Sequence, residues 1–136
     1  MKIVTLSMLV LIATLSSCSG IPKRESEQVT LERYQLFAGS PISQISLFGH
    51  FDGWLPLGNE HLVVWDGMNK AYLLTVQAPC LNLAFADQVS LRSRTGLSSI
   101  DSGFDFVNVG RGERCRITEI RPVDYNKLRE AERQAH

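Results

Sequence analysis

Hydrophobic residues along the chain fall into short β-prone runs separated by glycine-containing turns. The clearest pair is 61–65 and 71–76, joined by a segment that supplies Gly67 and Asn69 for turn positions of positive φ. Both runs are apolar on both faces, whereas a strand with one solvated face alternates apolar and polar residues. We therefore predict a hairpin at the centre of a sheet or in a barrel wall.

Other β-prone stretches flank this hairpin. Four further strands are predicted, at residues 42–51, 88–92, 104–109 and 114–120. A turn at 110–113 joins the last two, and Pro122 is expected to end the final strand because proline donates no ladder hydrogen bond. Residues 53–60 are predicted to be irregular because of Pro56 and two glycines, and the Gly- and Ser-rich residues 95–103 are predicted to be a loop.

Helices are predicted near the ends of the domain. Residues 29–38 fit a short helix that stops before Ser40-Pro41, with a strand as the competing interpretation, and residues 80–86 fit a short helix or an extended segment. Asp124 is a candidate N-cap for a helix over 125–134. The count predicts a mainly β fold, a small antiparallel barrel or sandwich of about six strands with short terminal helices. Its element order is similar to that of an oligonucleotide/oligosaccharide-binding barrel.

The first residues form a different kind of segment. Residues 3–15 are apolar apart from three hydroxyl residues, and they follow Lys2. As a helix they would rise roughly 20 Å, short of the roughly 30 Å hydrocarbon core of a bilayer. Their length and flanks are typical of a signal-peptide core. The alternative is a buried N-terminal helix, which the lack of a polar face disfavours.

The end of this run resembles the lipobox of bacterial lipoproteins, with Leu15, two small residues and then Cys18. The resemblance implies cleavage after Ser17 and a diacylglycerol thioether on Cys18. Ser19 follows the cysteine, which resembles the pattern sorted to the outer membrane in Gram-negative cells. The expected location is thus the cell envelope, with the protein anchored in the outer membrane and facing the periplasm.

These boundaries predict four regions. They are a cleaved signal peptide (1–17), the lipidated cysteine and a polar tether (18–28), a β-rich globular domain (29–123) and a C-terminal helix or tail (124–136). Loss of Lys2 with the signal leaves one more acidic than basic residue. Near-neutrality argues against bulk electrostatic binding of nucleic acid, so no nucleic-acid partner is expected.

The chain has three cysteines. If Cys18 is lipidated, Cys80 and Cys115 remain as an even pair in an oxidising compartment, and a disulfide between them is the favoured interpretation. Two free buried thiols or half of a metal site are the alternatives. A metal site is disfavoured because there is no Cys-x-x-Cys motif and the chain has only three histidines. No metal and no cofactor is therefore expected.

Three segments together are similar to a group of small proteobacterial envelope lipoproteins of unknown function. They are the 65–72 hairpin, residues 78–83 and residues 115–124. The resemblance covers roughly residues 40–124. It implies export, a compact domain and a role for the two cysteines. It carries no activity, so no catalytic residue is assigned from it.

The chain contains candidate catalytic groups that ordinary structural roles also explain. His50, Asp52 and His61 are the nearest approach to a triad, with serines in 39–41 and 98–99, but no Gly-x-Ser-x-Gly elbow is present. We interpret these histidines as strand-end residues. A set of aspartates offers carboxylates without a calcium-loop pattern, and turn formation explains them. They are Asp87, Asp101 and Asp105.

Aromatic and basic residues suggest a binding surface. Trp54, Trp65 and Tyr72 are candidates for a ligand cleft, and Arg114 and Arg116 alternate with Cys115 on the opposite side of one strand. Arginines at 92, 94, 111 and 121 extend this basic face, which would suit lipid phosphates or an acidic partner. The favoured interpretation of these residues is structural, a core tryptophan and a solvated arginine face.

The favoured function is a non-enzymatic envelope module that binds or supports an envelope protein or glycan. The alternative is an exported hydrolase with an unrecognised active site. A concave pocket with a polar cluster near His50, Asp52 or His61 would favour the hydrolase, and an exposed aromatic or arginine face would favour the binding module.

Overall fold

The computed structural model describes residues 25–47, 51–96 and 98–136. The predicted signal peptide, Cys18 and His50 lie outside these residues. The helices are α1 (Glu27–Leu36) and α2 (Tyr125–Gln134), and a 3₁₀ turn covers Leu83–Phe85. The strands are β1 (Gln44–Ser46), β2 (Gly53–Leu57), β3 (His61–Trp65), β4 (Ala71–Val76), β5 (Val89–Arg92), β6 (Ser99–Asp101), β7 (Phe106–Val109) and β8 (Glu113–Val123).

Six of the strands form one antiparallel sheet in the order β2-β3-β4-β8-β7-β5, and β1 pairs with β6 in a separate two-stranded sheet. The large sheet curls into a half-barrel. The predicted mainly β, antiparallel fold is confirmed. Among the described strands, β2 and β5 each have one neighbour in the sheet, so the half-barrel stays open between them.

Both faces of the central strands are covered. Leu62 and Val64 of β3 point into the half-barrel, where they pack with residues such as Leu74, Val107 and Ile117. Residues at alternate positions point outward. Val63, Trp65 and Leu73 pack there against α1 and α2, in a second cluster that includes Tyr34 and Leu128. This two-sided burial explains why the 61–76 hairpin is apolar on both faces.

The two helices cover one end of the outer face. Ser26 caps α1 by accepting a hydrogen bond from the Val29 N–H, and Asp124 caps α2 by accepting one from the Lys127 N–H. Helices were predicted in both regions and are confirmed, although α1 begins two residues earlier than predicted. No helix among the described residues is long and apolar enough to span a membrane.

Two predictions about proline were wrong. Residues 53–57, predicted to be irregular, form β2, which tolerates Pro56 because an edge strand needs only one ladder. Pro122 does not end β8, which continues to Val123. Its carbonyl accepts a hydrogen bond from the Gly39 N–H, at 2.7 Å. The side of Pro122 that lacks an N–H therefore faces the segment after α1, and pairing with β4 is undisturbed.

The prediction of a loop at 95–103 was also wrong in part, because β6 forms within this segment. β6 pairs with β1, a partner more than 50 residues earlier in the chain. Ile45 and Ile100 face each other in this pair and are buried in the core of the half-barrel. β1 lies within the strand predicted at 42–51, but β6 depends on this distant partner and leaves no local sequence signal in 95–103.

A disulfide joins Cys80 to Cys115, with a Cα–Cα distance of 5.9 Å. Cys80 lies in the segment after β4 and Cys115 on β8, and both side chains are buried in the core of the half-barrel. The covalent bond holds this segment against the first residues of β8.

We expect removal of the disulfide to destabilise the domain. The bond closes a loop with a sequence separation of 35, for which the chain-entropy model gives about 3.8 kcal/mol. Urea denaturation of the Cys80→Ala/Cys115→Ala variant should show a loss of this order. Reduction of the native protein should give the same loss, and an unchanged midpoint in both experiments would contradict the prediction.

Candidate functional site

The opening of the half-barrel forms a cleft between its two unpaired edges. We call it the edge cleft. Its volume is about 800 Å³, and it is bounded by β2 on one side and β5 on the other, with Leu47, directly after β1, and Ile100 of β6 contributing to its walls. The lining residues are Leu47, Phe51, Asp52, Gly53, Trp54, Val89, Ser90, Leu91, Ser93, Gly96, Ser98 and Ile100. A volume of this size lies within the range of small-molecule sites, roughly 300–1,000 Å³.

The chemistry of the edge cleft is mixed. Phe51 and Trp54 supply aromatic rings on the β2 side, and Ser93 and Ser98, in the segment between β5 and β6, supply hydroxyls on the other side. Asp52 is the charged residue in the lining, and its carboxylate accepts a hydrogen bond from the Gly67 N–H, so it braces the β3–β4 turn. The cleft therefore suits a ligand that presents both an apolar face and hydroxyl groups.

Trp54 occupies a defined place at this opening. It pairs with Val64, which in turn pairs with Tyr72, so all three side chains share the inner face of the sheet. Tyr72 packs against the core further inside, whereas Trp54 lines both the edge cleft and a smaller cavity beside it. Trp54 is thus the predicted aromatic residue that can meet a ligand in the cleft.

Trp65 lies on the other face of the sheet. Its ring makes edge-to-face contacts with Tyr34 and Tyr125, at centroid distances of 6.4 and 5.9 Å. Burial raises the pKa of Tyr34, and the indole N–H of Trp65 is buried without a hydrogen-bond partner among the described residues. Trp65 belongs to the core beneath the helices and does not face the edge cleft.

The predicted arginines form a third surface. Arg114 and Arg116 of β8 flank Phe106 of β7, and their guanidinium carbons lie 4.5 and 5.7 Å from the centre of its ring. Arg92 of β5 pairs with Phe106 from the other side. We call these four residues the arginine face. It occupies the part of the outer sheet surface that is formed by β5, β7 and the start of β8.

The five residues predicted as one binding face therefore occupy different places. Trp54 and Tyr72 are on the inner face, Trp65 is under the helices, and Arg114 and Arg116 are on the outer face. Side chains alternate between faces along a strand, so Val64 and Trp65 must point to opposite sides. Trp54 pairs with Val64 in the neighbouring strand, and the two tryptophans are separated in this way.

The candidate catalytic residues are not brought together. Asp52 precedes β2, while His61 begins β3 at the opposite end of the same hairpin, roughly 15 Å away along the strand direction. Burial lowers the pKa of His61, and Glu60 and Glu119 oppose that shift. Asp52 and His61 thus do not form a hydrogen-bonded pair, and His50 lies outside the described residues.

Asp105, one of the acidic candidates, and Glu113, which was not among them, stabilise loops. Asp105 is buried, and its carboxylate accepts hydrogen bonds from the backbone N–H groups of Arg94 and Asp101, at 2.6 and 2.7 Å. These bonds fix the segment between β5 and β7, which contains β6. Glu113 lies beside the disulfide, where a carboxylate oxygen and both sulfurs lie within 4.8 Å of one another. Its two oxygens accept the Leu81 and Asn82 N–H groups. A bonded cysteine pair offers no thiolate, so in this state the cluster braces the loop.

The whole chain, residues 1–136, matches the model of DUF6491, a family of unknown function. The chain belongs to this family. No curated protein and no solved structure matches it. The resemblance to a family without an established activity is confirmed at that level, and export, lipidation and envelope location remain predictions.

The β7–β8 pairing that forms the arginine face could be predicted from the sequence. A turn at 110–113 sets the register of the β7–β8 hairpin, and that register places Phe106 opposite Arg116 and Asn108 opposite Arg114. The arginine face follows from this pairing. The edge cleft cannot be predicted in this way, because β2 and β5 are distant in sequence and face each other only when the sheet curls.

We expect the two tryptophans to differ in their effect on stability. Trp65→Ala removes a ring packed between two tyrosines and should lower the free energy of unfolding by about 3 kcal/mol. Trp54→Ala, at the mouth of the cleft, should cost clearly less. Urea denaturation followed by circular dichroism measures both, and equal losses would show that Trp54 is as much a part of the core as Trp65.

Proposed function

We propose that the protein is a non-enzymatic, lipid-anchored module of the bacterial envelope that binds a glycan in the edge cleft. The observation that carries the proposal is the position of Trp54 at the open side of the half-barrel. The ring faces a cleft of about 800 Å³ whose opposite wall carries serine hydroxyls. Sugar rings present an apolar C–H face for stacking and a rim of hydroxyls for hydrogen bonds, which matches this lining.

The envelope location draws support from two features. The lipobox-like sequence ending at Cys18 resembles that of outer-membrane lipoproteins. The Cys80–Cys115 disulfide is of a kind that persists in oxidising compartments such as the periplasm. A lipid anchor would hold the domain at the membrane surface and raise its effective concentration for ligands there.

Glycan binding is tested through the protein's own fluorescence. Trp54 and Trp65 are its two tryptophans, so Trp65→Phe leaves Trp54 as the reporter. Titration with the soluble N-acetylglucosamine–N-acetylmuramic acid disaccharide should change the emission of this variant. Trp54→Ala should weaken binding about tenfold in calorimetry, which corresponds to a stacking contribution of about 1.4 kcal/mol.

Trp65→Phe is also the matched control for affinity, because its ring lies on the opposite face of the sheet. It should bind the disaccharide as the native protein does. Equal affinities for the native, Trp54→Ala and Trp65→Phe proteins would place the ligand outside the cleft. Absence of any binding to peptidoglycan fragments would refute the glycan proposal.

The anchor is tested by mass spectrometry of the N-terminal peptide. In cells of a Gram-negative host, the native chain should begin at Cys18 and carry acyl groups. Cys18→Ala should retain residues 1–17 and carry none, because the thioether that precedes cleavage cannot form. Normal processing and membrane retention of Cys18→Ala would contradict lipidation at this position.

A further inference from the structure

Among the residues that the structure describes, no acidic side chain forms a salt bridge with the arginine face. Arg92, Arg114 and Arg116 are exposed and lie on adjacent strands around one ring. Within the described residues, the salt bridges involve Arg33 and Lys127 and none of these three arginines. Like charges held this close repel one another, so an anionic surface that neutralises them would be bound favourably.

The start of the described chain lies at the end of the sheet where Arg116 is found. Glu27, in the first turn of α1, approaches Gly58 in the β2–β3 turn, where a Cβ would lie 3.9 Å from its carboxylate. The Glu60 carbonyl in that turn accepts the Val76 N–H, and the next residue, Gln77, donates to the Arg116 carbonyl. A continuous run of contacts thus connects the point where the tether enters the domain with the arginine face.

From these two observations we infer that the arginine face rests on an anionic membrane surface. The arginines contact lipid phosphates. Arginine suits this role because its guanidinium binds phosphate oxygens in a bidentate manner. Basic residues clustered close to a lipid anchor are attracted by the negative surface potential of anionic lipids.

A membrane explains the surface better than an acidic protein partner does. The chain as a whole is neutral, so the positive charge is a local feature of the side that the tether joins. The inference rests on the proposed anchor at Cys18, which would bring this side to the bilayer. With the face on the membrane, the edge cleft on the open side of the half-barrel stays available to ligand.

Arginine footprinting on the full, lipidated chain tests this contact. The protein is reconstituted on vesicles of phosphatidylcholine and on vesicles of an equal mixture of phosphatidylcholine and phosphatidylglycerol, and flotation measures the anchored fraction. Phenylglyoxal labelling is then followed by mass spectrometry at each arginine. Labelling of Arg92, Arg114 and Arg116 should slow several-fold on the mixed vesicles only and recover at high salt. Arg129 and Arg133, exposed on α2, should label equally on both.

A pair of charge-matched variants sharpens the test, with Arg92 as the reporter. In Arg114→Gln/Arg116→Gln the protection of Arg92 on mixed vesicles should be lost. In Lys127→Gln/Arg129→Gln, where two exposed positive charges are removed from α2, the protection should remain. Circular dichroism checks that both variants are folded.

The outcomes separate the contact from the anchor. Protein that floats with both vesicles but labels equally at Arg92, Arg114 and Arg116 refutes the membrane contact and leaves the anchor intact. Protein that floats with neither refutes the anchored module and this contact with it. Protection that appears in isolated envelopes but not on mixed vesicles identifies an acidic envelope partner and overturns the inference.

Discussion

Burial of both faces of strands β3 and β4 is the constraint on which the rest of this structure depends. These strands are apolar on every side, so a single layer of covering residues cannot keep them from water. The curl of the sheet encloses one face, and the two helices cover the other. Leu128 and Tyr34 are buried for this reason, although each stands in a helix that is otherwise mostly polar.

The same arrangement explains why the half-barrel stays open. The helices cover only the part of the outer face formed by β2, β3, β4 and the end of β8. The edge strands β2 and β5 are short, and Pro56 removes one donor from β2, which limits pairing across the gap. The unclosed edges leave a concave opening with an aromatic wall, and the uncovered part of the outer face leaves the arginine face exposed.

Two surfaces of different chemistry follow from one sheet. The edge cleft opens on the inner side and combines rings with hydroxyls, while the arginine face lies on the outer side and combines positive charge with an aromatic ring. The disulfide stabilises the part of the domain that carries both surfaces. It holds the loop after β4 against β8 and fixes both in the core of the half-barrel. A domain held by one face can in this way present the other to a ligand.

The sequence by itself determined the local features of this protein. Features that depend on neighbouring residues or on simple counting could be predicted. They are the 61–76 hairpin, the β7–β8 hairpin, the cap of α2 and the pairing of the two cysteines that remain if Cys18 is lipidated. Tertiary structure decided what depends on distant parts of the chain. Pro56 and Pro122 fit in strands because the side of each proline that lacks an N–H does not face the neighbouring strand of the sheet. β6 forms because it pairs with β1. The edge cleft forms because the curl of the sheet turns β2 and β5 towards each other. The separation of Trp54 from Trp65 belongs to the same class, since the face a side chain takes depends on strand register, and register in turn depends on which core each face must fill.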